Sequence, residues 1–405
     1  MSRFTLEEIL LIKIWKWQYL HYRENAKVVL CCNYNKEQKS VNNYQGGNME
    51  KVNFEREEYV KRIIGDCQSL IRREAEDFLR KVIEDGYLER SKKFWRRDYS
   101  SIGNYLNSIK QAKQDWKNCL GDFSDYYSEQ FNPEIEKIYE DEKKEIFYIS
   151  IEIYKGMRGY GLLGYPKNMK KASPLIIAQH GIGSSPFHVF GFYDSGGYYH
   201  SYGSKLLDEN YVVIAPFNIT DSQPRARIQR LCLLLGKTIA GLEAGKYKKW
   251  IDFFSSDKNV DTEKVGMWGL SLGGYYTLVT MPIEERIKAG ICSAFFNHRI
   301  KKMIIDDPRY SCFLSTDEEH ISIYGWLKYF SDYDLISLIC PRPFMIQAGK
   351  QDSISWFPFL LEEYRKAKEH YEKLEIGEKL ILDLHSGGHE VRVSEGMNFL
   401  KKFLV

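Results

Sequence analysis

The stretch Val265-Gly-Met-Trp-Gly-Leu-Ser-Leu-Gly-Gly-Tyr275 decides the fold expected of this 405-residue chain. It places Gly269-x-Ser271-x-Gly273 directly after a short apolar run and directly before a segment compatible with a helix. A serine at such a sharp strand-to-helix turn exposes its hydroxyl above the sheet. The small residues two positions before and after it let neighbouring backbone pass without a side-chain clash. The motif therefore predicts that Ser271 is a nucleophile.

The composition is that of a globular protein and indicates no charged partner. Lys+Arg (58) and Asp+Glu (55) nearly balance, for a formal net charge of +3. That balance gives no reason to expect nucleic acid or an acidic membrane surface as a partner. No apolar run approaches the length of a membrane span. The stretch from Leu6 to Leu20 contains charged residues and is followed by no cleavage site, so no secretory signal is expected. The oligomeric state is not indicated.

The eight cysteines are scattered, with no C-x-x-C pair and no spacing typical of metal ligands. Several lie in apolar runs, as Cys292 does, and buried free thiols are typical of a reducing compartment. We therefore expect a cytoplasmic protein that uses no metal and no other cofactor.

The chain changes character near residue 140. Helices are expected before it, at Leu6 to Arg23, Phe54 to Leu88 and about Ser101 to Cys119. The second of these carries a periodic apolar stripe that we expect to be buried, made of Val60, Ile63, Ile64, Leu70, Ile71, Phe78, Leu79, Val82 and Ile83. We predict an N-terminal helical domain over residues 1–140 and a second domain over residues 141–405.

Strands and helices alternate after residue 140. Glu145 to Tyr154 and Gly159 to Tyr165 have the pattern of a hairpin at a sheet edge. Further strands are expected at 174–180, 211–216, 264–268, 287–294, 343–348 and 379–384. A long helix is expected at 225–254, and a lid-like aromatic insert at about 296–337. The alternation predicts the α/β class, with a doubly wound, mostly parallel sheet.

A serine hydroxyl becomes an effective nucleophile when a base takes its proton, normally a histidine oriented by a carboxylate. In doubly wound hydrolytic enzymes the acid and then the histidine follow the serine along the chain. Asp352 and His389 each follow a predicted strand in a glycine-containing turn. Both thus fall at carboxyl ends of strands, where sites in open α/β sheets gather. We expect Ser271, Asp352 and His389 to form a catalytic triad.

Other residues compete for these roles. His385 is a second candidate base, but it ends its strand, whereas His389 lies on the following loop. The rival acids lie before the strand that leads to Asp352, and they are Asp306, Asp307, Asp332 and Asp334.

An oxyanion hole needs two backbone N–H donors aimed at the developing charge. One is expected to be the amide of Leu272, which follows the nucleophile. The other is expected from Ile182, in the glycine-containing loop that follows the strand 174–180. Trp356 lies close to Asp352 in the chain and is a candidate wall of the substrate pocket. Arg96 or Arg97 is expected to pair with Asp98.

The motifs together resemble the α/β-hydrolase superfamily, over about residues 141–405. Those most similar to its acetyl xylan esterase and dienelactone hydrolase branch are His180-Gly181, Gly266-Met-Trp-Gly-Leu-Ser-Leu-Gly-Gly274 and Pro341-Arg-Pro-Phe-Met-Ile-Gln-Ala-Gly-Lys-Gln-Asp352. This resemblance implies an esterase for small acyl groups that uses no metal. The helices before residue 141 depart from the simplest members and are similar to those that cover the active site in other hydrolases.

The hypothesis from the sequence is a serine carboxylic-ester hydrolase that forms an acyl-enzyme intermediate. Its substrate is expected to be a small-molecule ester, such as an acetylated carbohydrate. A prolyl-oligopeptidase-type serine peptidase is an alternative, although such enzymes usually carry a β-propeller ahead of the catalytic domain. A carbon–carbon bond hydrolase of aromatic degradation is another. A non-catalytic binding module usually lacks a triad member, and all three are present here.

Overall fold

The computed structural model of this chain describes residues 51–193 and 197–405. The chain divides into two compact units, Met1–Val82 and Ile83–Val405. The helix expected at Leu6 to Arg23 lies outside the described residues, as do Cys31 and Cys32.

The second unit contains a sheet of nine strands in the order β1-β2-β3-β5-β4-β6-β7-β8-β9. The strands are β1 (Glu134–Glu140), β2 (Lys144–Tyr154), β3 (Met157–Pro166), β4 (Ser173–Gln179), β5 (Val212–Pro216), β6 (Val260–Leu270), β7 (Ile287–Ser293), β8 (Phe344–Gly349) and β9 (Leu380–His385). The pairs β1–β2, β2–β3 and β3–β5 are antiparallel. Every other pair is parallel. The predicted mostly parallel sheet is confirmed.

Helices cover both faces of this sheet. Within the described ranges the helices of the chain are α1 (Lys51–Phe94), α2 (Ile102–Ser108), α3 (Lys110–Leu120), α4 (Pro186–Phe190), α5 (Tyr202–Asp208), α6 (Ser222–Leu233), α7 (Ile239–Phe254), α8 (Leu272–Thr280), α9 (Arg299–Ile304), α10 (Trp326–Tyr329), α11 (Asp332–Ile339), α12 (Phe357–Glu372) and α13 (Val393–Phe403). Alternate residues of β4 enter two separate apolar clusters: Leu175 and Ile177 one, Ile176 and Ala178 the other. A strand buried on both faces is expected to be a continuous apolar run, as β4 is.

The parallel register brings several chain segments to one edge of the sheet. Gln179 at the end of β4 pairs with Gly269 in β6, and Leu270 pairs with Ser293 at the end of β7. Gly349 at the end of β8 pairs with His385 at the end of β9. The loops that carry the predicted site residues therefore leave the sheet along the same edge.

Two elements differ from the prediction. The single helix expected at 225–254 is two helices, α6 and α7, because Gly236 adopts a left-handed φ of 66° between them. Strand β1 was not predicted. All seven of its residues are exposed, so no buried face marks it in the sequence.

Helices α2 and α3 pack into the large core of the second unit. Tyr105, Ile109, Trp116 and Leu120 are fully buried in the apolar cluster that also contains one face of the sheet. The indole N–H of Trp116 donates to the carbonyl of Val279 in α8 at 2.9 Å. The prediction of a domain spanning residues 1–140 stays a prediction, but these helices are built into the core around the sheet.

The apolar stripe predicted to be buried in α1 is largely exposed, so that expectation was wrong. Val60, Ile64, Ile71 and Phe78 are each exposed, whereas Ile83 is partly buried against Tyr87 and its neighbours. Helical periodicity indicates which face of a helix is apolar, and does not indicate that another element covers it. No helix in the described ranges is long and apolar enough to cross a membrane.

Truncation of Trp116 tests whether α3 belongs to the core around the sheet. Trp116→Ala is expected to lower the free energy of unfolding by about 3–5 kcal/mol, because it removes a buried indole and leaves the Val279 carbonyl without its donor. Urea denaturation would measure the loss. Gln114→Ala, at an exposed position of the same helix, is the matched control and should change stability by less than about 0.5 kcal/mol. Equal effects of the two substitutions would contradict the packing.

Candidate active site

Ser271 lies at the turn between β6 and α8. Its backbone has φ 83° and ψ −106°, a conformation that residues with a side chain rarely adopt. The Ser271 N–H donates to the Ser293 carbonyl at 2.9 Å, and its own carbonyl accepts from the Tyr275 N–H at 2.8 Å. Such strain persists where the surroundings over-determine it. Ser271 therefore occupies the sharp strand-to-helix turn that the motif predicts.

The chain packs around this turn at distances that only glycine permits. A Cβ on Gly269 would lie 2.2 Å from the carbonyl carbon of Gly273. A Cβ on Gly273 would lie 2.2 Å from the carbonyl oxygen of Gln179. The second approach joins the turn at Ser271 to the end of β4, where the predicted oxyanion loop begins.

The loop after β4 passes next to the serine. A Cβ on Gly181 would lie 3.2 Å from the Cβ of Ser271, so the backbone here is in contact with that side chain. The Gly181 N–H donates to the Tyr199 hydroxyl at 2.8 Å, and the next amide is that of Ile182. Leu272 is the first residue of α8, where an N–H has no acceptor within the helix. The amide of Leu272 directly follows Ser271 in the chain. The amide of Ile182 follows Gly181, which contacts Ser271.

His180 stabilises this loop as a neutral side chain. It is fully buried, and burial lowers its pKa to about 4. Its Nδ1 lies 2.9 Å from the Gly181 carbonyl oxygen, and its Nε2 accepts the Asn218 N–H at 3.2 Å. A ring that donates at one nitrogen and accepts at the other is uncharged.

His389 and Asp352 are in direct contact. Nδ1 of His389 lies 2.8 Å from Oδ2 of Asp352, and the Asp352 side chain is almost fully buried. The other carboxylate oxygen accepts the Ile354 N–H at 3.0 Å. The carboxylate favours the imidazole tautomer with its proton on Nδ1, which leaves Nε2 available as a base.

The hydrogen bond expected between His389 and Ser271 is not formed in this conformation. In the part of the chain that the structure describes, the Ser271 hydroxyl forms no hydrogen bond with the imidazole of His389. Such bonds often tighten only when substrate binds. The acid–base half of the predicted triad is thus assembled, and Ser271 lies at the same edge of the sheet.

The rival acids have other partners. Arg299 donates to both carboxylate oxygens of Asp332, at 2.8 Å each, and both side chains are fully buried. Asp334 accepts from Arg97 and from the Tyr87 hydroxyl, at 2.5 Å each. The remaining two contact residues of their own segment: Asp306 accepts from Ser315 and Asp307 from Arg309.

The rival base, His385, has a hydrogen-bond partner at Nδ1, whereas its Nε2 is buried without one among the described residues. Nδ1 of His385 accepts the Gly387 N–H at 3.1 Å, and burial lowers its pKa. His385 therefore supports the loop that carries His389.

The pairing expected between Arg96 or Arg97 and Asp98 was wrong. Arg97 extends to Asp334, 237 residues further along the chain, and its guanidinium lies 3.5 Å from the ring centre of Trp95. Asp98 instead accepts the Ser100 N–H. A short sequence separation favours a pairing only when no buried carboxylate competes for the guanidinium.

The insert lies between helices near the N-terminus and the loop of Asp352. Its aromatic residues pack against the first group: Tyr329 stacks on Phe94 at 4.2 Å, and Trp326 lies 5.8 Å from Trp116. On the other side, the Arg309 guanidinium lies 4.7 Å from the ring centre of the half-buried Trp356. The predicted pocket residue is therefore covered on one side by the insert.

Sequence reasoning missed three residues that support the site. Tyr199 accepts from Gly181 in the predicted oxyanion loop, and Lys302 contacts the loop after Asp352. Arg225 is fully buried and donates at 2.7 Å to the hydroxyl of Tyr276, in the helix that follows Ser271. For Lys302 and Arg225 the sequence did hold a hint of burial, since each lies in a helix beside apolar residues. Nothing in the sequence marked Tyr199.

The described chain offers no cluster of metal-binding side chains. Across residues 51–193 and 197–405, no three His, Cys, Asp or Glu side chains are grouped as metal ligands are. The expectation of a cofactor-free reaction stays a prediction.

A methyl group at Gly273 is expected to disrupt the turn. Gly273→Ala should lower the free energy of unfolding by about 1–3 kcal/mol or more, since backbone and not a flexible side chain blocks the new Cβ. Gly103→Ala has nothing closer than 3.9 Å to its Cβ and should be neutral or stabilising, by up to about 1 kcal/mol. Urea denaturation compares the two variants. A Gly273→Ala protein as stable as the wild type would contradict the close approach to Gln179.

His180 is expected to make stability depend on pH. It stays neutral in the folded protein down to a pKa of about 4, whereas an unfolded histidine binds a proton below about 6.5. The unfolded state therefore binds more protons between these values, and stability falls as the pH is lowered. His180→Gln should flatten this slope by up to about 1.4 kcal/mol per pH unit. Denaturation at pH 4.5, 5.5 and 6.5 measures it; parallel slopes would contradict the neutral, buried ring.

The segment around the candidate site is similar in sequence to known proteins. The prolyl oligopeptidase family matches residues 243–382, a segment that includes Ser271 and Asp352. The "Putative hydrolase YtaP" of Bacillus subtilis (strain 168) is 24% identical over 200 residues. That alignment covers 47% of this chain and 64% of the relative, slightly less than two thirds of its length.

Solved structures share the fold at low sequence identity. A glucuronoyl esterase from Solibacter usitatus superposes with a TM-score of 0.58 at 14% identity, covering 75% of this chain and 93% of that one. A protein called a "putative acetyl xylan esterase", from Bacteroides fragilis NCTC 9343, gives 0.57 at 13% identity, covering 77% and 87%. Methylesterase BT1017 gives 0.56 at 16% identity, covering 75% and 64%. The nine-stranded sheet, the turn at Ser271 and these similarities show that the protein has the α/β-hydrolase fold.

Proposed function

We propose that the protein is a serine carboxylic-ester hydrolase with Ser271, His389 and Asp352 as its triad. The observation that carries this proposal is the 2.8 Å contact between His389 and Asp352, at the sheet edge where Ser271 occupies a strained turn. The family match and the esterases among the similar structures support the same class of reaction.

In the proposed first step, Nε2 of His389 takes the hydroxyl proton of Ser271 as Oγ attacks the ester carbonyl. Asp352 orients the imidazole through Nδ1 and stabilises the imidazolium that forms. The amides of Leu272 and Ile182 donate to the oxyanion of the tetrahedral intermediate. When the carbon–oxygen bond to the leaving group breaks, His389 returns the proton to the departing alcohol, and an acyl group remains on Ser271.

The proposed second step repeats this chemistry with water. His389 takes a proton from water as its oxygen attacks the acyl carbon, and the same two amides stabilise the second oxyanion. Collapse of this intermediate releases the carboxylic acid and returns the proton to Ser271. No group beyond these side chains and amides is needed to balance the reaction.

For the substrate we propose a small acyl ester, such as an acetylated carbohydrate. Among the similar structures are esterases whose names refer to acetyl xylan and glucuronoyl groups. The half-buried Trp356 offers an aromatic surface of the kind that packs against a sugar ring. We also propose a cytoplasmic location and no nucleic-acid partner, because the described cysteines are free thiols and the positive and negative charges nearly balance.

The family match at residues 243–382 also favours a second candidate, a serine peptidase of the prolyl-oligopeptidase type. Between residues 83 and 133 the described chain forms helices and irregular segments, where such peptidases usually carry a β-propeller. Cleavage of dipeptidyl anilides in preference to acetyl esters would favour the peptidase.

Removal of the nucleophile tests the proposed function directly. Ser271→Ala should lower kcat/KM for p-nitrophenyl acetate by about 10⁴-fold or more, and Asp352→Asn by about 10³- to 10⁴-fold. A fluorophosphonate probe should label the wild type at Ser271 and leave Ser271→Ala unlabelled.

The matched control is Ser256→Ala, the same substitution at an exposed serine, which should keep wild-type turnover. A comparison of acetylated sugars, longer acyl esters and diketone-like substrates would then identify the preferred bond. Ester turnover that survives in Ser271→Ala would reject the proposed triad.

A further inference from the structure

Lys302 is a buried lysine in α9, the first helix of the insert. Its ammonium lies 2.7 Å from the Ser311 hydroxyl and 2.5 Å from the Ile354 carbonyl oxygen, and it also donates to the Ser311 carbonyl. The rings of Phe313 and Tyr310 lie 4.9 and 5.7 Å from Nζ. Lysine is rarely buried unless it is paired, and these three acceptors are neutral oxygens of two chain segments. The ammonium therefore joins those segments to each other.

The second of these segments carries the proposed acid. Ile354 donates its N–H to Oδ1 of Asp352 at 3.0 Å, and the other oxygen of Asp352 contacts His389. Lys302 binds the carbonyl of that same Ile354. One residue of the loop is thus bound by the acid through its N–H and by the lysine through its C=O.

The next residue of the loop is also bound by the insert. The Asn297 side-chain amide donates to the Ser355 hydroxyl at 2.8 Å, and the Asn297 backbone N–H is bound by buried Asp332 at 3.0 Å. The Ser355 N–H donates in turn to the Asp352 carbonyl at 3.2 Å. Asn297 and Lys302 therefore contact two consecutive positions of the loop that holds Asp352.

We propose that Lys302 is a positioning residue for Asp352, because it joins the insert at Ser311 to the loop that orients the carboxylate toward His389. The inference rests on the proposed function, which makes Asp352 the acid of the triad. It gives the insert a structural role: its first helix and the acid loop form one rigid support for the proton relay.

The charge of Lys302 gives this role a pH dependence. Burial lowers the pKa of Lys302 to about 8, so the ammonium is present at neutral pH and is lost as the pH rises through that value. The charged and titratable groups that face it are Arg299 of its own helix, Asp352 of the acid loop, and Tyr310, Glu318 and Cys312 of the insert. A neutral amine has two protons for three acceptors, which weakens the connection above about pH 8.

The test compares Lys302→Met with Lys301→Met in the full chain. Lys301 is a buried neighbour in α9, and its ammonium binds Glu362 in α12 at 3.1 Å, away from the acid loop. Lys302→Met should lower kcat for p-nitrophenyl acetate by about 10- to 100-fold with little change in KM, since a small misplacement of catalytic groups has effects of this size. Lys301→Met should retain kcat.

Two further readouts separate positioning from a general loss of stability. The wild type should lose activity above about pH 8, and Lys302→Met should lack this alkaline limb. Amide hydrogen exchange in residues 350–356 should be faster in Lys302→Met than in Lys301→Met. Lys302→Gln, which keeps an uncharged donor, replaces the methionine variant if that variant does not fold.

The outcomes distinguish this inference from the proposed function. A wild type that is neither active on esters nor labelled at Ser271 would overturn the proposed function, and hydrogen exchange would still report whether Lys302 holds the loop. A Lys302→Met enzyme with the kcat, alkaline limb and exchange rates of Lys301→Met would overturn the role of Lys302 and leave the proposed function standing.

Discussion

The backbone bend at Ser271 is the constraint on which the rest of this site depends. A residue with a side chain stays at φ 83° only if its neighbours remove the alternatives. Here the Ser271 N–H is bound to the end of β7, and the backbone of Gly273 lies against Gln179 at the end of β4. The same contacts that hold the serine thus place the loop of Gly181 beside it. The proposed nucleophile and one proposed oxyanion donor are therefore held by the same set of contacts.

The sequence could predict this part of the site because its physical cause is local. Glycines two residues before and after a serine, between an apolar run and a helix, admit few backbone arrangements. The positions of Asp352 and His389 could be predicted for a related reason, since parallel strands place their carboxyl ends at a common edge. Sequence order and strand order together then limit which residues can meet.

Other features depend on contacts that no local pattern reports. Arg97 pairs with Asp334 across 237 residues, and the adjacent Asp98 looked equally suitable from the sequence. The stripe on α1 shows the same limit, because its periodicity is real but its residues are exposed. Strand β1 has no buried side, so only its pairing with β2 reveals it. Each of these features depends on a group that is distant in the sequence: the partner of a charge, the partner of a strand, or an element that could cover an apolar face.

The insert was predicted from its composition, but its contacts with distant segments could not be, and these contacts lie at the edge of the sheet that carries the proposed site. At its start it contacts the loop after β8, through Asn297 and Lys302. Further along, the carbonyl of Ser322 accepts from Gln229 in α6, the helix that follows β5. In the sheet, β6 and its serine lie between β5 and β8, so the two attachments lie on opposite sides of Ser271. An element bound on both sides of Ser271 limits the room above that residue, so we expect the insert to influence which substrates can reach the proposed nucleophile.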